Sequence, residues 1–261
     1  DSPNFGFARK SPSCRPTDDQ PGLKMSDSHI ADHIDVAHFA HGESHISNLP
    51  ERPDDALAAL HNVSTLSRFG RNQTIFNEGD DARYSYKVVE GGVRLCKLMP
   101  DGRRQIAEFM LPGDLFGFEM GDEHSLTAEA LGDAVVMRCA RSQMERVSEE
   151  QPVIRKQLMS LLRRELSAAQ THLMMLGRQT AKERIASFLL LQAERTDADD
   201  GDLVELPMSR QDIADYLGLT IETVCRALSD LKRERIIGIP NRHQVAIRNI
   251  AALENISECD E

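Results

Sequence analysis

Glu222 and Arg226 stand four residues apart in the run LTIETVCRAL. On a helix they project from one face, and they join a hydrogen-bond acceptor to a forked donor. Arginine can donate twice to guanine in the major groove of a duplex, and glutamate can accept from cytosine. Ile221 and Cys225 share that face. As an isolated pair, Glu and Arg at this spacing are ordinary solvated helix decoration. Other chemistry is thinly represented. The sequence has no Ser/His/Asp arrangement, no G-x-x-x-x-G-K loop and no H-E-x-x-H pair, so no enzyme is expected. His29, His33, His38, His41 and His45 cluster near the start. Their spacing could hold a transition metal, but they sit in a segment with no scaffold to order them, and no metal site is expected.

The elements around Glu222 and Arg226 give the pair its meaning. Ser209 and Asp212 resemble a capping box, so a helix begins there. Ile213, Ala214 and Leu217 form its apolar face, and Gly218 supplies the backbone that stops it. Leu219 can fill the space before a second helix capped by Thr220, with Val224, Leu228 and Leu231 as its buried face. Two short helices joined by a tight glycine turn are a helix-turn-helix, whose second helix enters the major groove N-terminus first. On that geometry Ile221, Glu222, Cys225 and Arg226 face the bases. Arg210, Thr220, Thr223 and Lys232 are candidate phosphate contacts, each equally readable as a surface residue. Two β-prone runs, IIGI and QVAIR, flank PNRH and fit a hairpin wing.

Charge agrees once it is divided. The 261-residue chain carries a net charge of −11, which as a whole disfavours a polyanion. Ser209 to Arg248 holds seven basic against five acidic residues, so the acid excess lies elsewhere. Composition is that of a globular protein, with 40% hydrophobic and 28% charged residues. No apolar run is long enough for a membrane span, and no secretory core opens the chain. Five scattered cysteines (Cys14, Cys96, Cys139, Cys225, Cys259) form no C-x-x-C pair, which argues against disulfides and zinc. A cytoplasmic protein is expected.

Upstream, residues 1–48 are rich in Ser, Pro, Asp and His and read as a flexible tail, within which Met25 could itself be a start. Residues 49–151 open with a stretch that reads as helical, DDALAALHNVSTLSRF. Brief apolar runs follow: TIF, YKVV, VRLCKLM, QIAEFML, LFGF and AVVMRCA, separated by glycine-rich turns. Short strands at this spacing predict an all-β barrel or sandwich. Residues 152–177 then predict a long helix with Pro152 in its first turn. Met159, Leu162, Leu166, Ala169, Leu173 and Leu176 recur at alternating intervals of three and four, a heptad seam suited to a two-fold dimer. The bland alternative is a core helix. Leu158 and Leu161 fall off the seam and would pack on the β-domain. A further helix is expected from about Thr180 to Arg195, with residues 178–254 as the winged helix-turn-helix domain and 255–261 as a tail.

The run RQDIADYLGLTIETVCRAL, followed by the hairpin, resembles the cyclic-AMP receptor protein/FNR (CRP/FNR) superfamily of transcription regulators, and E-T-V-C-R is most similar to its FNR and FixK branches. IFNEGDDARYSYKVVEGGVRL and LPGDLFGF resemble that superfamily's effector roll. The likeness covers about Leu49 to Glu254. It implies an α+β fold: an N-terminal β-roll of the cyclic-nucleotide-binding, jelly-roll kind, a long dimerisation helix and a C-terminal winged helix-turn-helix. It also implies a homodimer on a double-stranded palindrome similar to TTGAT-N4-ATCAA, with RNA polymerase as a partner and activation as the outcome. Glu222 and Arg226 would read the inner G·C pair, and Cys225 stands where FNR-type proteins usually carry Ser.

The departures narrow the reading further. Cyclic-nucleotide binders carry Gly-Glu and later Arg-Ser in the roll. Here Phe118 follows Gly117, and His124-Ser125 replaces Arg-Ser, which removes the fixed cation for a cyclic phosphate. With only Cys14 in the tail, an iron–sulfur cluster lacks ligands. No cofactor is expected. What remains resembles FixK, a regulator acting without a small effector on genes of low-oxygen respiration and nitrogen fixation. The alternative is a sensor on the same fold, gated through the roll or through oxidation of Cys225, a thiol near a helix N-terminus and beside Arg226.

Overall fold

In the computed structural model the described residues are 64–196, 198 and 201–258. The histidine cluster, Cys14, Cys259 and the tail at 1–48 lie outside them. Strand-forming runs alternate in burial because one face of each must meet a partner sheet. The first sheet has strand order β1-β8-β3-β6, from β1 (Ser64–Phe69), β3 (Tyr84–Glu90), β6 (Leu115–Phe116) and β8 (Ala134–Ala140). The second has order β2-β7-β4-β5, from β2 (Thr74–Phe76), β4 (Val93–Leu98), β5 (Arg104–Met110) and β7 (Thr127–Ala130). Phe76, Val93, Met110 and Ala128 from one sheet meet Tyr86, Val88, Phe116 and Val136 from the other, forming the roll's interior. The β3–β4 turn needs glycine: Gly91 has φ 76°, and a Cβ there would lie 2.3 Å from the Asp133 carbonyl oxygen.

One expectation is overturned here. STLSRF, read as the end of a helix, is strand β1, paired antiparallel with β8 from Ser64 opposite Cys139 to Phe69 opposite Ala134. The long-range ladder outweighs the local helical pattern. The part of that stretch before Ser64 lies outside the described residues.

Helix α1 (Arg141–Glu150) leaves the roll, and α2 (Pro152–Arg178) begins with its proline at the first position. Ile154 of α2 packs with Leu115, Cys139, Met144 and Val147, and Leu158 and Leu161 join them. The off-seam leucines therefore do pack on the β-domain. The seam faces the other way: Met159, Leu162, Leu166, Ala169 and Leu173 are exposed and Leu176 is half-buried. Helix α3 (Ala181–Arg195) is capped by Thr180 and Glu183 in a reciprocal capping box and buries Ile185, Phe188 and Leu189.

Helix α4 (Arg210–Leu217), α5 (Ile221–Arg233) and a three-stranded sheet of order β10-β11-β9 follow. The strands are β9 (Leu203–Glu205), β10 (Ile237–Asn241) and β11 (Gln244–Ile247). The expected hairpin wing is β10–β11, and β9 adds a third strand. Helix α6 (Ile250–Ser257) runs past residue 254, so the segment expected as a tail begins inside a helix. One apolar core runs from the roll, through Ile106 and Phe109, into α3, α4, α5 and the wing.

Candidate nucleic-acid interface

The geometry of the helix-turn-helix follows from local chemistry. Ser209 accepts from the Asp212 N–H and Asp212 accepts from the Ser209 N–H, so α4 starts on a capping box. Gly218 ends α4 at φ 63° and ψ 38°, a left-handed residue, and its N–H closes on the Ala214 carbonyl. Leu219 packs into the core between the helices. Thr220 then caps α5 by accepting from the Thr223 N–H. Val224, Leu228 and Leu231 are buried as the spacing predicts, with Ala227 beside them.

This places Ile221, Glu222, Cys225 and Arg226 together on the open side of α5, all exposed. Glu222 and Arg226 share that face without a salt bridge between them among the described residues. The Glu222 carboxyl is held below the usual carboxylate range by hydrogen bonds from its own backbone N–H and from Thr220. It therefore stays an acceptor. The candidate phosphate contacts divide. Thr220 and Lys232 are exposed and Thr223 is half-buried. The Thr220 and Thr223 hydroxyls lie 3.1 Å apart at the helix N-terminus, where the dipole favours an anion. Arg210 is also half-buried, and its Nη1 is shut away from solvent with no hydrogen-bond partner among the described residues.

The roll's departures are also visible as geometry. His124 is buried, stacked on Phe76 with ring centroids 3.6 Å apart; its Nδ1 lies 3.6 Å from Glu119 Oε1, and neither ring nitrogen has a hydrogen-bond partner among the described residues. The neighbouring Ser125 donates its N–H and its hydroxyl to the Glu119 carboxylate at 3.0–3.2 Å. An internal anion thus occupies the donors that sit beside His124. Among the described residues no group of three or more His, Cys, Asp or Glu side chains could hold a metal ion, and no helix is long and apolar enough to cross a membrane.

Sequence reasoning missed what holds the helix-turn-helix in place. Asp212 reads as a cap, but it also meets Arg94 and Arg104 of the roll. Tyr216 lies among Phe109, Phe188 and His172, with the His172 ring stacked on it at 3.9 Å. Tyr216 carried a signal: an aromatic next to the apolar Leu217 on a short helix has more apolar surface than a two-helix motif buries.

Residues 66–151 match the family model of the cyclic nucleotide-binding domain, and residues 183–256 match the Crp-like helix-turn-helix domain. The nitrogen fixation regulation protein FixK of Azorhizobium caulinodans is 45% identical over 208 residues, covering 78% of this chain and 83% of that protein. FixK of Bradyrhizobium diazoefficiens is 47% identical over 187 residues, 70% of this chain and 79% of that one. The structure of FixK2 from Bradyrhizobium japonicum superimposes with a TM-score of 0.71 at 42% identity, covering 76% of this chain and all of that one. With a β-roll, a winged helix-turn-helix whose second helix has an open face, and these relatives, the chain belongs to the FixK-like branch of the CRP/FNR family of DNA-binding transcription regulators.

Proposed function

We propose that this protein is a dimeric transcription activator that binds a palindrome similar to TTGAT-N4-ATCAA without a small effector, in the cytoplasm. The observation that carries this reading is the open face of α5, where Glu222, Cys225 and Arg226 are exposed together. Arg226 and Glu222 read the inner G·C pair, with Ile221 and Cys225 against neighbouring base edges. Thr220, Thr223, Lys232 and Arg210 contact phosphates. The seam on α2 pairs two copies, so that two reading helices meet two half-sites one helical turn apart. Independence from cyclic nucleotides is supported by His124 in place of an arginine and by Glu119 engaging Ser125. The likeness to FixK supports target genes of low-oxygen respiration and nitrogen fixation and RNA polymerase as the protein partner.

The test is a gel shift on the TTGAT-type palindrome at fixed salt, with and without cyclic AMP. Tight binding without nucleotide is expected, and strict nucleotide dependence would overturn the effector-free reading. A second reading, in which oxidation of Cys225 releases DNA, is favoured by the exposure of that thiol on the open face of α5.

A further inference from the structure

Helix α4 turns its acidic side toward the roll. Asp212 and Asp215 are one helical turn apart, and two guanidinium groups from adjacent strands meet them. Arg94 of β4 places Nη1 3.1 Å from Asp212 Oδ1. Arg104 of β5 places Nη2 2.7 Å from Asp212 Oδ1 and 2.7 Å from Asp215 Oδ2, and its Nε donates to Asp215 at 2.8 Å. Arg94 is itself fixed: its Nε donates to Glu129 of β7 at 2.8 Å and its Nη2 to Asn72 at 3.1 Å. The Arg94 and Asp212 side chains are each 6% exposed. Asp212 Oδ2 is already committed to the capping box, accepting from the Ser209 N–H at 2.9 Å and its hydroxyl at 2.6 Å. One carboxylate therefore starts the first helix of the reading unit and bolts it to the roll.

The other end of α4 is pinned too. Arg184 of α3 donates to the carbonyls of Leu176, Gln179 and Leu217, each at 2.9 Å, so it ties the corner between α2 and α3 to the last turn of α4. The Tyr216 carbonyl meets His172 Nε2 of α2 at 2.9 Å and accepts from Gln105 of β5 at 3.2 Å.

Such a network is a poor way to gain stability. Desolvating charges offsets much of their attraction, and apolar replacements of similar volume commonly do as well. What paired guanidinium and carboxylate groups add is direction, because a planar fork accepts few orientations. The docked side of α4 is opposite in use to the open face of α5: Asp212 is covered, while Ile221, Glu222, Cys225 and Arg226 remain exposed. Docking therefore holds the reading unit without masking it.

We propose that Arg94 and Arg104 are positioning residues for DNA reading, setting the orientation of α4, and through it α5, against the roll and the seam helix. This rests on α5 being the base-reading helix.

The experiment is a double-mutant cycle on the full chain with Arg104→Met, Asp215→Asn and the pair, using residues outside the capping box. Affinity for the palindromic duplex is measured by fluorescence anisotropy well below the melting temperature of every variant, with Arg104→Lys and Arg226→Ala alongside. Each neutral variant is expected to weaken binding about 10- to 100-fold with base preference unchanged, Arg104→Met more than Asp215→Asn because it also loses Asp212, and the pair being no worse than Arg104→Met alone. Arg104→Lys should regain part of the loss. Unchanged affinity in Arg104→Met, tighter binding, or losses that simply add would each overturn the positioning role. A lowered melting temperature with native affinity would reduce the network to a structural one. If Arg226→Ala binds like the native chain, it is the base-reading assignment that fails, and the cycle is read against that result.

Discussion

Substituting Leu166 by glutamate should separate the two copies and abolish DNA binding together. Leu166 is 60% and Leu173 70% exposed in the single chain, with Met159 at 48% and Leu162 at 43%. Fully burying a leucine is worth about 1.5–3 kcal/mol, so sealing the exposed part of Leu166 against a partner contributes about 1–2 kcal/mol per chain. Two-fold symmetry doubles each position to about 2–4 kcal/mol. Weighted by their exposures, the four positions together supply a gross gain of about 7–13 kcal/mol, set against about 4–15 kcal/mol lost in association. The surplus is small, so one position decides the balance. Leu166→Glu removes its share and adds like charges across the axis, raising the dimer dissociation constant by about 30- to 1000-fold or more. Sedimentation velocity over a concentration series reads the constant, and anisotropy on full and half palindromes reads the consequence. The full site should lose its advantage over the half site. An unchanged dimer constant in Leu166→Glu would refute the seam.

Further outcomes follow from single residues. Arg226→Ala should lose about 1–3 kcal/mol of binding, concentrated at one base pair; uniform weakening over a library of single-substitution duplexes would mean it contacts phosphate instead. Burial pushes the Glu108 carboxyl up to about 7, opposed by Arg195 and reinforced by Glu165. It holds a proton in the folded chain where the unfolded chain has lost it, so its contribution to stability is complete at acid pH and is lost as pH rises through 7. Glu108→Gln should therefore melt higher than the native chain at pH 8, with the gap closing by pH ~5; parallel melting curves would contradict the burial argument. On the redox reading, peroxide should weaken DNA binding by the native protein and spare Cys225→Ser, and equal loss in both would remove Cys225 as the switch.

The helix-turn-helix was legible because its determinants are local. A capping box spans four residues, Gly218 supplies its own φ, and Thr220 caps within one turn. The exposed apolar stripe of α2 was legible for the same reason, since a heptad is a statement about neighbours on one helix. What failed was long-range. STLSRF has no strand signal stronger than its helical one until β8 is beside it. TAEA of β7 and the polar helix RSQMERVSEE carry too few apolar residues to announce themselves; α1 buries only Met144 and Val147.

Asp212 shows why the docking network could not be read in advance. As a cap it needs only Ser209, three residues away; as a bolt it needs Arg94 and Arg104, which lie 118 and 108 positions upstream. The first role fully accounts for an acid at that position, so nothing in the local sequence asks for a second. The burden of two roles also sets how the site can vary. Removing the Asp212 carboxylate leaves the Ser209 N–H without its acceptor and leaves the buried Arg94 facing Glu129 and Asn72 alone. Arg94 keeps the Glu129 carboxylate as its counter-charge, so the larger cost falls on the cap: the Ser209 N–H and hydroxyl lose their acceptor at the start of α4. Removing Asp215 frees only one side of Arg104, which keeps Asp212. Asp215 is therefore where the orientation of the reading unit can be altered while its fold is kept, and Asp212 is where the two cannot be separated.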